Sequence, residues 1–167
     1  MADLLALSSK VIDEGRADEP VNRITQELSE LSDDVAMIES FSHVVVVRTE
    51  DGLVCFDASG AAAGPKVIES LRAWTDAPVR TLVYTHGHID HIGGSGAFMA
   101  DAASAGRPAP TVIGHENVPV RMDRYDTTNG YNVTINRRQF GGVRNLDTNM
   151  GFGGAGAGGA STVERFL

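Results

Sequence analysis

Apolar residues recur at helical spacing near the start of the chain. Leu4, Leu7 and Val11 form one stripe, flanked by Leu5 and Ile12. Gly15 and the charged stretch RADEP interrupt it, and Val21, Ile24, Leu28 and Leu31 form a second stripe. This pattern predicts two helices, the second with Asp18 as N-cap and Pro20 near its first turn. From residue 35 the period changes. VAMIES is a short apolar piece, and His43–Thr49 (HVVVVRT) is a β-branched run that predicts a buried strand. Glu50-Asp51-Gly52 supplies a turn and Leu53–Asp57 runs back, which predicts a hairpin. Val67, Ile68, Leu71 and Trp74 then share one helical face. Thr81–Thr85 reads as a strand, Gly93–Gly106 as a small-residue helix, Thr111–Ile113 as a strand and Val118–Tyr125 as a helix before a polar loop. Gly151–Ala160 is Gly/Ala-rich and builds no core, so 151–167 reads as a tail or linker.

A length of 167 residues suits one domain, and 42% apolar residues is ordinary for a globular chain. The net charge of -8 argues against a nucleic-acid partner, which requires a basic face. A single Cys leaves no disulfide within the chain and fits a reducing compartment. No apolar run approaches the ~20 residues of a membrane span. The N-terminus carries Asp3 early and lacks a basic start before a long apolar stretch, so a cytoplasmic protein is expected.

The chemistry is concentrated in residues 86–91, His-Gly-His-Ile-Asp-His, which hold three of the five histidines. Imidazole nitrogen and carboxylate oxygen are the donors that Zn²⁺ and similar metals prefer. The cluster follows the Thr81–Thr85 strand and precedes Gly93-Gly94, so the donors lie on a turn at a strand's C-terminal end. In a turning segment His86 and His88 face one way while Asp90 and His91 point to a neighbouring position, so one loop can serve two adjacent metals.

His86-x-His88-x-Asp90-His91, after a strand and before Gly-Gly, resembles the motif of the metallo-β-lactamase fold superfamily. DGLVCFDASG resembles that superfamily's strand ending in Asp, here Asp57, ahead of the first helix. The resemblance covers roughly residues 35 to 115. It implies an α/β (α+β) chain, an αββα sandwich with the metal site at one edge of two sheets. It implies that His86 and His88 bind a first metal, and that Asp90 and His91 bind a second. Zinc is the implied metal, two ions in a complete site, with iron or manganese as alternatives. The implied activity is that of a metal-dependent hydrolase using a metal-bound hydroxide oriented by Asp90, the candidate catalytic residue. Asp57 is the candidate to support a ligand imidazole through its second nitrogen, or else a plain strand-end cap.

The family also uses a downstream His or Glu, a bridging carboxylate and a final His. Only His115 follows the motif, at a place where the family often carries a non-ligand His. The chain is therefore expected to be truncated to the N-terminal half of such a domain, in three parts: a helical extension over 1–34, the half-domain over 35–150, and the tail. A missing half predicts uncovered apolar surface, and with it a homo-oligomer or a complementing C-terminal half as partner. The stretch from Ile113 to Gly142 resembles alkylsulfatase-like members, and Arg121, Arg124, Arg137 and Arg138 make it more basic than the chain as a whole. Arg binds sulfate through paired hydrogen bonds, but a solvated surface has the same composition, and no single Arg is assigned to substrate. The expected substrate is a small-molecule ester or sulfate ester. A thioesterase or lactonase, and a non-catalytic metal-binding fragment, are the alternatives. Gly154 to Gly159 fits G-x-G-x-x-G but lacks the flanking strand and helix that a dinucleotide site needs. Cys55 and His43 read as structural members of strands.

Overall fold

The computed structural model describes residues 2–15, 23–128, 130–132 and 135. Asp3 caps the first helix, α1 (Leu4–Glu14), by accepting from the Ala6 N–H at 2.8 Å, and Gly15 ends it with φ 64°. The second expected helix is absent over its described part. Leu28–Ser32 is instead a strand, β1, antiparallel to β2 (Val35–Ile38). Asp33 and Asp34 turn between them, and pairing satisfies a backbone that the helical stripe alone does not stabilise. β2 pairs antiparallel with β3 (Val44–Thr49), and β3 with β4 (Gly52–Phe56), as the hairpin reading requires. Helix α2 (Gly64–Trp74) then crosses to β5 (Val79–Val83), which lies parallel to β4 and starts two residues before the expected strand. A four-residue helix α3 (Ile89–Ile92) and α4 (Ser95–Ser104) lead to β6 (Thr111–Ile113), parallel to β5, and α5 (Val118–Thr127) follows. The sheet order is β1-β2-β3-β4-β5-β6.

Register assigns the faces. Ala36, Val46, Cys55 and Leu82 are paired in turn across the sheet, and all four are fully buried. Val67 and Leu71 of α2 and Phe98 of α4 join them in one core cluster. Burial pushes the Cys55 thiol up to about 12, which makes it packing material and no nucleophile. The opposite face carries Val35, Met37, Val45, Val47, Val54, Phe56 and Val83, apolar but only half-buried. The described residues thus form one sheet with its helical layer. The tail over 151–167, with its G-x-G-x-x-G, lies outside them. No described helix is long and apolar enough to cross a membrane.

Two features lock this layer. Glycines allow α2 and the α3–α4 junction to meet: a Cβ on Gly64 would lie 2.9 Å from the Gly94 carbonyl oxygen, and one on Gly94 would collide with the Ala58 carbonyl oxygen. Beside β2, Glu39 is fully buried and takes two hydrogen bonds from Arg23, from Nε and Nη2 at 2.7 Å each. His43, at the start of β3, accepts the Ser40 N–H at Nδ1 (3.0 Å), a structural role. The Arg23 hydrogen bonds outweigh burial and hold the Glu39 carboxyl below its ordinary range.

Gly94→Ala is expected to cost at least about 2 kcal/mol in urea unfolding, because the obstacle is backbone and cannot rotate away. Glu39 has a lowered folded pKa, so its stabilisation is complete well above the ordinary value of 4.5 and is lost as pH falls through the lowered one. Stability measured from pH 6 to 3 should therefore drop less steeply in Glu39→Gln than in wild type, from a lower starting point.

Candidate metal centre

The site is assembled where β4 and β5 end side by side. Asp57 follows β4 and donates its N–H to the Val83 carbonyl at 2.8 Å. Asp57 and Ser59 both have left-handed backbones, φ 64° and 59°, a conformation rare for non-glycine residues though Asp tolerates it better than most. The turn they make is latched to α3 and α4 by Ala58 N–H to the His91 carbonyl (2.6 Å) and Gly94 N–H to the Ser59 carbonyl (2.9 Å). Ser40 and Ser59 hydroxyls meet at 2.6 Å beneath it, both fully buried. On the β5 side the chain turns through Thr85–His88, and His88, with ψ 139°, opens α3. Asp90 and His91 are therefore helical, whereas His86 and His88 lie on the turn before.

The buried Asp57 carboxylate organises this loop. Its Oδ1 accepts from the Thr85 N–H at 2.8 Å, and its Oδ2 from the Thr85 hydroxyl and from His91 Nδ1, each at 2.7 Å. The single hydroxyl hydrogen of Thr85 is donated in the hydrogen bond to Asp57, so in its 3.0 Å contact with His86 Nδ1 the imidazole donates and the hydroxyl oxygen accepts. The consequence is a tautomer assignment. Neutral His86 and neutral His91 both carry their proton on Nδ1 and present an unprotonated Nε2, the state in which imidazole binds a metal. His86 Nε2 lies 2.8 Å from His88 Nδ1, and His91 Nε2 lies 3.7 Å from Asp90 Oδ2. The ring centroids of His86 and His91 are 4.0 Å apart, and those of His86 and His88 4.5 Å. Asp90 is held in turn by the Ser42 hydroxyl, which donates to Oδ2 at 2.7 Å.

The electrostatics follow the same contacts. Burial pushes the Asp57 carboxyl up, but the hydrogen bonds from His91 and Thr85 outweigh it and hold it below its ordinary range. Burial pulls the His91 imidazole down, but Asp57 and Asp90 outweigh it and hold it above its ordinary value. His88 is lowered by partial burial and by the neighbouring His86 and Arg121 charges.

All four motif residues thus come to one place, with Asp57 against His91. His115 lines the same cleft as His86 and His88, together with Thr85, Gly87, Asn117, Val118 and Arg121, around a volume of 420 Å³. Its Nδ1 accepts the Asn117 N–H at 3.1 Å. Sequence reasoning missed Ser42 and Thr85. Thr85 was legible only as a strand residue, and Ser42 sits 48 positions from the aspartate that it contacts. As to a metal, the donor chemistry fits a zinc-type ion. Two nitrogens on a tetrahedral zinc stand about 3.3 Å apart, so the hydrogen-bonded His86 Nε2–His88 Nδ1 pair, at 2.8 Å, would open by about half an ångström to take one. The count is short: among the described residues no three His, Cys, Asp or Glu are disposed to hold one ion together.

The chain belongs to the metallo-beta-lactamase superfamily, whose sequence profile matches residues 37–148. Solved structures agree on the fold. A metallo-beta-lactamase with a HARLDQ motif from Cronobacter sakazakii (Enterobacter sakazakii) is 19% identical with a TM-score of 0.51, over 62% of this chain and 36% of that one. A mutant of that enzyme gives 21% identity and a TM-score of 0.50, over 59% and 38%. A stereoselective inverting sec-alkylsulfatase from Pseudomonas sp. is 22% identical, over 52% of this chain and 14% of that one, but at a TM-score of 0.42 it says nothing about this chain's substrate. This chain spans little more than a third of the length of the lactamase structure it matches. No curated protein sequence matches it significantly.

Asp57→Ala leaves the Thr85 N–H and hydroxyl and the His91 Nδ1–H without their acceptor. It is expected to destabilise the chelator-treated protein by roughly 2–4 kcal/mol in urea unfolding. A loss under 0.5 kcal/mol would show that the loop does not depend on this carboxylate.

Proposed function

We propose that the chain carries part of the active site of a metal-dependent hydrolase acting on a small-molecule ester or sulfate ester. The observation that carries this reading is the convergence of His86, His88, Asp90 and His91 on one loop, with Asp57 dictating the tautomers of two of them. His86 Nε2 and His88 Nδ1 would hold one ion, the proton by which His88 Nδ1 bonds His86 Nε2 in the metal-free loop shifting to His88 Nε2, and Asp90 and His91 Nε2 would hold a second, with the remaining donors supplied from outside the described residues. A bound zinc ion supplies Lewis acidity: it lowers the pKa of bound water toward ~7 and stabilises charge on the attacked group.

The chain's own residues prepare that chemistry. Asp57 and Thr85 keep the His86 and His91 protons away from the metal-facing nitrogens. Ser42 occupies Asp90 Oδ2, so Oδ1 has no hydrogen-bond partner among the described residues and is the oxygen available to orient an attacking water. Outer partners of this kind are typically worth 10–100-fold in metal affinity. The incomplete donor count favours one second reading, a metal-binding chain without turnover.

Zinc per chain after dialysis against zinc and then zinc-free buffer tests the proposal. Wild type is expected to retain zinc, and the His86→Ala/His88→Ala double variant to lose most of it. Equal retention by both, or none by wild type, would overturn the assignment. Retention with no hydrolysis of p-nitrophenyl acetate or p-nitrophenyl sulfate would leave the second reading.

A further inference from the structure

We infer that the cleft beside the histidine loop is an oxyanion-binding site, with Arg121 as its cationic residue. The ligand is the sulfate, phosphate or carboxylate head of a substrate whose reacting bond lies toward His86 and His88. Its place as part of a substrate site rests on the hydrolase reading above; the binding of an oxyanion does not.

Three observations carry it. First, Arg121 is seated on the motif itself. It projects from α5 across Gly87, where a Cβ would come within 3.2 Å of the Arg121 Cβ and Cγ. A Cβ at position 87 would make the arginine stem give by a few tenths of an ångström, so the glycine between the two histidines lets α5 pack Arg121 closely against the loop. Second, no carboxylate among the described residues is paired with Arg121. Arg23 and Arg72 are paired with Glu39 and Asp101 at 2.7 Å, whereas the Arg121 guanidinium makes no ion pair or hydrogen bond among the described residues and lies 5.1 Å over the Tyr125 ring on its own helix. That is notable in a chain of net charge -8, where acidic partners outnumber basic ones. An aromatic face steadies the planar guanidinium and leaves its N–H edge free for a paired contact with oxyanion oxygens.

Third, the rest of the cleft is of matching character. Val118 supplies apolar wall, and none of the described residues that line it is Asp or Glu. His115 accepts the Asn117 N–H at Nδ1, so the neutral ring carries its proton on Nε2 and is a second potential donor. A cation, a neutral N–H and an apolar wall beside two imidazoles suit an amphiphilic ester with an anionic head better than a neutral one.

The test is titration of metal-depleted protein with sodium sulfate at pH 8, where free imidazoles are neutral and no metal can bind the anion. ¹H–¹⁵N NMR would follow the Arg121 Nε–H and the Gly87 amide. Both are expected to shift saturably with sulfate and not with chloride at equal ionic strength. Arg121→Gln should weaken binding by roughly 10–100-fold at unchanged circular dichroism, with Arg121→Lys in between. Parallel titrations with phosphate and acetate identify the preferred head. Absence of a saturable shift, or an unchanged affinity in Arg121→Gln, would overturn the site. In zinc-loaded protein, the preference for an anionic ester over its neutral counterpart should also fall in Arg121→Gln. Sulfate binding without hydrolysis of either ester would sink the hydrolase reading and keep the oxyanion site.

Discussion

The Asp57 carboxylate holds the two halves of the site together. It sits at the end of one strand and receives three hydrogen bonds from the loop that follows the neighbouring strand. Each bond has a further effect. The Thr85 N–H sets the start of the turn, the Thr85 hydroxyl orients His86, and the bond from His91 Nδ1 orients that imidazole and ties α3 to the end of β4. A buried carboxylate without such donors would be strongly disfavoured, and the donors without it would be unsatisfied. The arrangement is therefore all-or-none, which suits a loop whose imidazoles must keep one tautomer and one direction.

Holding that carboxylate in place requires a left-handed residue at the end of β4 and another two positions later. Such backbones persist only where their surroundings over-determine them. Here the Ser40–Ser59 contact, the two backbone bonds to His91 and Gly94, and the glycine contact between α2 and the α3–α4 junction do so. The core beneath is ordinary: β-branched and leucine side chains from the sheet packed on Val67, Leu71 and Phe98. It provides a rigid floor, and the chemistry is confined to the edge where the strands end, as is general for loops at the carboxyl ends of parallel strands.

Much of this was legible beforehand. The β-branched run of β3, the turn at Glu50–Gly52 and the apolar face of α2 each have a single physical solution, and the structure adopts it. The histidine motif was legible because donor type and spacing are local properties. The segment around Leu28 was not. Its leucines fit a helix as well as a strand, and the decision came from an antiparallel neighbour, with Leu28 packed in the sheet's core. The Asp33-Asp34 turn was the available signal, since a polar pair between two short apolar runs is hairpin chemistry.

What the sequence determined by itself is most of the elements after residue 35, the donor residues and their order, because these depend on side-chain type and on spacings of a few residues. What only the tertiary structure decided is which groups those donors meet. Asp57 reaches Thr85 and His91 across 28 and 34 positions, Ser42 reaches Asp90 across 48, and Arg121 comes to rest on Gly87. Contacts of that range depend on strand register and helix packing, and no local pattern encodes them. The tautomers, the direction of Asp90 and the cation beside the cleft all follow from them.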